Sequence, residues 1–437
     1  MSASIYFDVP YHQQDADNYC GLAAAQMVLA STGAPPLDQS SLVNGALVMP
    51  GGISPSTLAG VLNHWASTIG LAATFSSPAP YADYDKALRA VVDNLIRTGI
   101  AVPVLAFGSA RHWLVVKGAV LDGPIVAGGA YAVRGLIVAN PAPVTAAVSA
   151  TDAVDLATIH ATYGDQPVPH VAGDACGKGD VTGAKDVYIT AAAWREYNWP
   201  STPDGQPSTY VVVANARTTP VALPSSAVKQ FRSSDAGAAL AAAAPATAVM
   251  AAAQAGVRAH GLDQCPPFAS AFAGTHPSQP VMQEVGTTTV RQWQYVQFLR
   301  PSAVAGQPDQ VTAAVFVDAD GTFLGALAPP SHFVDPLDFV ALARQALIAR
   351  QASFADLLGP EPIAQDEIAM VTPRFWQASA ESLSPDRAFM RVRVRGHELI
   401  VGDDGRVYRQ LTPPRCNIVA LPSNGKAKPA APEVEKT

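Results

Sequence analysis

Three observations predict an α+β fold. Helical periodicities dominate the first hundred residues, above all at 54–69 and 84–97. β-branched runs follow at 100–106, 112–118 and 136–139. The second half carries two hairpin signatures separated by helical runs. At 437 residues the chain is long enough for two or three domains with real cores. Hydrophobic residues make up 49% and charged ones 14%, the balance of a globular rather than a disordered chain. A net charge of −7, without a Lys/Arg cluster to neutralise phosphates, argues against a nucleic-acid partner.

The first element is the stretch His12–Gly33, HQQDADNYCGLAAAQMVLASTG. Here a polar loop turns into an apolar helical run carrying Leu22, Met27, Val28 and Leu29. The pattern places Cys20 in the first turn of a helix, where free N–H groups and the positive dipole end favour a thiolate. The residues before it, from Met1 to Asp8, have neither a basic region nor a long apolar core. No standard secretory signal is read there, and a cytoplasmic location is expected. Cysteines stand far apart at 20, 176, 265 and 416, without a C-x-x-C pair, which is a poor disulfide framework and points to a reducing compartment.

Residues 37–100 read as a helical subdomain. Leu42, Val43, Ala46 and Leu47 suggest a short amphipathic element. Ser54–Ile69 opens with Ser-Pro-Ser-Thr capping chemistry and puts Leu58, Val61, Leu62 and Trp65 on one face. His64 within it reads as a structural or surface residue. Tyr84–Arg97 repeats the 3.6 period, ends at Thr98-Gly99 and leads into the strand 100–106.

Next comes Arg111-His112-Trp113-Leu114-Val115-Val116-Lys117-Gly118, a strand with histidine at its start. Leu136-Ile137-Val138-Ala139 then runs into Asn140-Pro141. A histidine can take a thiol proton and return it to a leaving group. An Asn side-chain oxygen can accept from the other ring nitrogen and fix its tautomer. Gln14, six positions before Cys20, could supply an amide donor to an oxyanion beside the cysteine's own N–H. Gln13 stands next to it and leaves that assignment open by one position. Alone, Asn140 is economically a turn residue and His112 a strand-end histidine. Together the four groups are chemically coherent.

The pattern V-P-Y-x-Q-Q-x5-C-G-x-A-A-x-x-M-V-L, then H-W-L-V-V-K-G, then I-V-A-N-P, resembles the papain-like cysteine peptidases. It is most similar to the bacteriocin-processing, double-glycine-leader peptidase group and its stand-alone bacterial relatives. The resemblance covers roughly the first 217 residues and implies a fold with a helical half carrying the cysteine and a β-rich half carrying the histidine. It implies Cys20 as nucleophile, His112 as general base and acid, Asn140 as orienting residue and Gln14 as oxyanion-hole side chain. A peptide or protein substrate and no cofactor follow from it. The leader-cleaving group usually has Asp-Pro where this chain has Asn140-Pro141. Papain itself uses asparagine there.

Beyond Asn140, residues 142–185 are rich in Gly, Pro and Asp and read as a lid or binding insertion. His170 and Cys176 within it lack a further ligand and make a poor metal site. Asp186–Asn198 reads as a strand running into a helix, and Thr209–Ala216 as a strand closing the same domain, with Trp194, Tyr197 and Trp199 as core or cleft wall. The predicted domains are a peptidase domain at 1–217, an Ala-rich linker or helical segment at 218–265, an α+β accessory domain at 266–420 and a disordered tail at 421–437. The alanine-rich run 238–256 is interrupted by Pro245 and is not apolar enough to span a membrane.

In the accessory half, Val311–Leu327 and Phe389–Leu411 each read as a strand, an Asp-Gly turn and a strand, with helical runs at 335–351 and 353–358 between them. A weak internal duplication of an α+β unit fits this. Asp318 and Asp320 fit turn chemistry better than a calcium loop. A binding or scaffolding role toward a protein partner is expected of this half. Two other readings stay open for the whole chain: transfer of the thioester to an amine or thiol, and a non-enzymatic peptide-binding fold.

Overall fold

The computed structural model describes residues 2–12, 14, 19–34, 37–43, 53–77, 80–106, 112–141, 185–198, 210–217, 219–231, 246–285, 291–304, 309–328, 336–371, 374–377, 388–402 and 405–411. The predicted insertion (except Lys185), with His170 and Cys176, lies outside them, as do Cys416 and the predicted tail.

Cys20 is the first residue of helix α1 (Cys20–Ala30). Every residue from Cys20 to Leu29 is buried, so this helix has no solvent face. Its long polar side chain is satisfied inside: Gln26 donates to the Leu37 carbonyl and accepts from Gln39 at 3.0 Å. Gln39 opens the short helix α2 (Gln39–Val43). Helix α3 (Pro55–Thr68) starts where the sequence places it, with Ser54 Oγ accepting from Thr57 N at 3.1 Å. Its Leu58 and Leu62 join Met27 and Leu29 in one core. His64 is exposed, edge-on to the Trp65 ring. Helix α4 (Tyr84–Thr98), capped by Asp83, buries Leu88, Val91, Val92 and Leu95 on a second core.

Around these helices runs an extended, mostly antiparallel sheet. Strand β1 (Ser2–Tyr6) comes first; the two-residue β2 (Phe75–Ser76) stands apart and pairs later in the chain. β3 (Val102–Ala106) and β4 (His112–Asp122) follow α4, then β5 (Ala132–Ala139). β4 pairs with β3 through Ala106↔His112, with β1 through Tyr6↔Gly118 and with β5 through Val115↔Ala139. Side-chain alternation splits the two cores: Trp113, Val115 and Ala139 face α1, while Leu114, Val116 and Val138 face α4.

β6 (Val187–Thr190) pairs with β5 and runs into a short helical turn containing the fully buried Trp194. β7 (Val211–Val212) pairs with β3, β8 (Ala214–Asn215) with β2, and β9 (Val228–Phe231) with β1. Asn94 binds both the carbonyl and the N–H of Asn215, at 2.8 and 3.2 Å, and so ties α4 to β8.

The stretch expected as a linker therefore contributes a strand, β9, to the first sheet. It also contributes helix α5 (Ala246–Ala259), which buries Val249, Ala253 and Val257. That helix and α6 (Phe268–Phe272) pack on β12 (Arg291–Arg300), β13 (Gln310–Asp318) and β14 (Phe323–Leu327). Ahead of these strands lie β10 (His276–Pro277) and β11 (Val281–Val285), both paired with β12. The hairpin expected at 311–327 is the β13–β14 pair, and Thr322 N donates to Asp318 Oδ1 at 2.7 Å across its turn.

Helix α7 (Pro336–Ala349) packs its Ala343 and Leu347 on β17 (Phe389–Val394) and β18 (His397–Gly402). β15 (Ile368–Met370) and β16 (Phe375–Trp376) pair with β17, and β16 also lies parallel to β11. β19 (Val407–Tyr408) completes the Asp-Gly hairpin with β18.

The boundary expected at 217 does not separate two sheets. β6 sits between β5 and β14, through Ile137↔Tyr188 and Ala326↔Tyr188. Gly135 and Gly325 flank Tyr188, and a Cβ on either would collide with it. One core then collects Val120, Ile137 and Tyr188 with Phe268, Val315 and Phe323. The Tyr188 hydroxyl and His260 Nδ1 are hydrogen-bonded at 2.6 Å, and the His260 ring stacks on Phe323. Among the described residues no helix is long and apolar enough to cross a membrane.

Inside the first sheet, Lys117 is fully buried and ion-paired with Asp186. Tyr6 donates to the same carboxylate at 3.2 Å and lays its ring under the ammonium. Burial pulls the Lys117 pKa below that of a free lysine, with Asp186 opposing the shift. Asp186→Asn leaves an unpaired ammonium and is expected to cost about 3–5 kcal/mol in urea denaturation. Lys117→Met with Asp186→Leu recovers most of that loss.

His260 gives a pH-dependent counterpart. Burial holds its pKa down at about 4, against 6.5 for a free imidazole. Between these values the unfolded chain binds a proton that the folded chain refuses, so stability falls as pH drops from 6.5 to 4. Over that window the wild-type chain is expected to lose about 3 kcal/mol more than His260→Gln, read from urea midpoints at each pH.

Candidate active site

His112 and Asn140 are brought together by the β4–β5 ladder. Continuing the register past Val115↔Ala139 sets Asn140 opposite Leu114, so His112 lies diagonally across on the same face. His112 Nε2 and Asn140 Oδ1 are 2.8 Å apart. An amide oxygen can only accept, so Nε2 carries the proton and Nδ1 is the basic nitrogen. Nδ1 is buried and makes no hydrogen bond among the described residues. The Cys20 thiol and this base are therefore not hydrogen-bonded in the structure.

Gln14 reaches the same corner through its backbone: its N–H donates to the Pro141 carbonyl at 2.9 Å. Gln13, the other candidate, lies outside the described residues. Cys20 comes in on α1, which packs against β4. A Cβ on Gly21 would stand 3.1 Å from the Trp113 ring and would collide with Ile53. Trp113 and Ala139, the chain neighbours of His112 and Asn140, share a core with Cys20, while strand alternation sets His112 and Asn140 on the other face, that of Leu114. Trp113 Nε1 also donates to the Ile53 carbonyl at 3.1 Å, holding the chain segment before α3 over the start of α1.

All four predicted residues are buried: Cys20 is 2% exposed, His112 4%, Gln14 5% and Asn140 8%. Neither Cys20 nor Cys265 is in a disulfide. Among the described residues no three His, Cys, Asp or Glu side chains gather as a cation site. Asp318 and Asp320 share a turn, where burial first and the neighbouring carboxylate second push Asp318 up to about 6. A groove of about 840 Å³ lies beside the β4–β5 turn, lined by Ile96, Pro124, Ile125, Val126 and Val221. It is at the opposite end of β4 from His112, and its described lining includes Ser2 and Gln230 but no Cys, His, Asp or Glu.

Sequence reasoning missed three residues that shape the site. Tyr11 donates its hydroxyl to the Asn140 carbonyl at 2.8 Å. Trp113 and Ile53 wall the start of α1. The available signals were the Cys-Gly and His-Trp dipeptides, which do not say what the glycine and tryptophan face. No family model, no curated protein and no solved structure matches this chain.

Gly21→Ala tests the approach of α1 to β4. The added methyl displaces Ile53 and strains Trp113, an overpacking cost expected at about 1–3 kcal/mol in urea denaturation.

Proposed function

We propose that the chain is a cysteine peptidase of the papain-like kind, with an α+β fold in which a buried helix presents the nucleophile to an antiparallel sheet. The observation that carries the reading is the 2.8 Å contact between His112 Nε2 and Asn140 Oδ1, on the strand that α1 packs against. It leaves Nδ1 as a base with its tautomer set, while Cys20 begins a helix of 11 residues. The positive end of that helix favours a thiolate.

In this reading the thiol and imidazole meet at the end of the sheet, where α1 and β4 both begin. Cys20 gives its proton to His112 Nδ1, and the thiolate attacks a peptide carbonyl carbon. The tetrahedral oxyanion takes hydrogen bonds from the Cys20 N–H and the Gln14 side-chain amide. His112 returns the proton to the departing amine as the C–N bond breaks, leaving a thioester on Cys20. A water molecule, deprotonated by His112, attacks the thioester; the acid departs and the thiol is regenerated. Burial of the group strengthens each of these polar contacts, and a peptide reaches the thiol only when the site opens.

Iodoacetamide alkylation, mapped to each cysteine across pH, tests the pair directly. Cys20 is expected to react with a midpoint well below the ordinary thiol value of about 8.5. His112→Ala should restore an ordinary midpoint and slow hydrolysis of an unfolded protein substrate by about a hundredfold or more. A Cys20 that labels only in the ordinary range, or not at all in the folded chain, overturns the reading. New amine adducts in place of new carboxyl termini would redirect it to acyl transfer.

A further inference from the structure

We infer that Tyr11 is a positioning residue of this site: its phenol holds the Asn140 corner so that Asn140 keeps His112 in the base-competent tautomer. The inference rests on the proposed Cys20–His112–Asn140 triad and adds a member whose hydroxyl acts on the backbone of Asn140.

The corner needs a tie. The β4–β5 ladder ends at Val115↔Ala139, so Asn140 lies beyond its last rung, and Pro141 has no N–H to offer. Two hydrogen bonds from one short segment act there instead. Tyr11 Oη donates to the Asn140 carbonyl at 2.8 Å, and Gln14 N donates to the Pro141 carbonyl at 2.9 Å. The Tyr11 ring packs on the core that contains Cys20, Trp113 and Ala139. The phenol is thus braced from behind while its hydroxyl pins the backbone of the orienting residue. The same two bonds join the oxyanion candidate Gln14 and the orienting Asn140 into one unit.

The chemical consequence follows from geometry. The contact between Asn140 Oδ1 and His112 Nε2 weakens steeply as its angle and distance drift. Once it weakens, nothing sets the proton on Nε2, and a proton on Nδ1 cannot accept another from Cys20. Loss of the Tyr11 hydroxyl should therefore appear at the thiol, by way of Asn140 and His112.

Tyr11→Phe in the full chain is the test. The alkylation midpoint of Cys20 is expected to rise by about one pH unit, making labelling about tenfold slower at pH 6. At pH 10, where the thiol ionises unaided, the rate should equal the wild type's. Tyr131→Phe, which removes a 2.6 Å hydrogen bond to Asp93 of α4, should leave the midpoint alone. In an Asn140→Ala background the Tyr11 change should add nothing, because its action passes through Asn140. A Tyr11→Phe midpoint equal to the wild type's, an equal shift in the Asn140→Ala background, or a chain that no longer folds overturns the positioning role and leaves the triad standing. A wild-type midpoint in the ordinary thiol range overturns both.

Discussion

A lysine ammonium with no exposed surface is the constraint on which this architecture turns. Moving such a charge out of water costs several kcal/mol even after relaxation, and only a well-placed partner offsets it. Lys117 sits in the middle of β4, and its partner Asp186 stands one residue ahead of β6. Pairing them fixes where β6 begins. Tyr6 of β1 shares the same carboxylate, and Ala328 at the end of β14 donates its N–H to the Asp186 carbonyl at 3.1 Å. A single carboxylate residue thereby ties β1, β4, β6 and β14 at one level of the sheet. Gly135 admits the Tyr188 ring and Gly325 its backbone carbonyl, and β6 pairs on both sides.

The candidate site depends on the same strand. His112 is the first residue of β4, and its orientation is inherited from the ladders that hold the strand in register. Hydrogen bonds in so dry a place are stronger than they would be in water, and leaving one unmade is costly. The contact to Asn140 is thus a structural commitment as much as a chemical one. The tautomer it sets leaves Nδ1 basic and, among the described residues, without a hydrogen bond.

Much of this was legible in the sequence wherever information is local. Ser54 caps the helix that its spacing announces, and the Asp-Gly turns mark both hairpins of the second half. The start of α1 at Cys20 and of β4 at His112 follow from hydrophobic periodicity. What could not be read was pairing across long separations. Nothing in the run Val187–Thr190 says that its two neighbours come from residues 132–139 and 323–327. Strand pairing is set by which faces find cores, and a four-residue strand carries too little pattern to choose. Likewise Lys117 reads as a polar residue in a strand, and only the fold shows that its counterion arrives from the far side of residues 142–184. For the site, the four chemical residues were visible because their chemistry is restrictive. Tyr11 and Ile53 were not, because a hydroxyl on a backbone carbonyl and a wall of methyls can come from many residue types.

The shared core also bears on what the second half does. An appended module that only binds a partner needs no more than a polar linker and a small interface with the rest of the chain. Here Phe231, at the end of β9, packs with Val257 and Phe268, and β14 extends the sheet that begins with β4 and β5. Cutting the chain near residue 217 would remove β9 from β1 and β14 from β6, and would strip the cover from Val120 and Ile137. Each lost rung exposes backbone groups as well as apolar surface. The second half is thus part of the support for β4 and β5, the two strands that hold His112 and Asn140. β13 and β14 are joined to β4 and β5 through the paired strand β6.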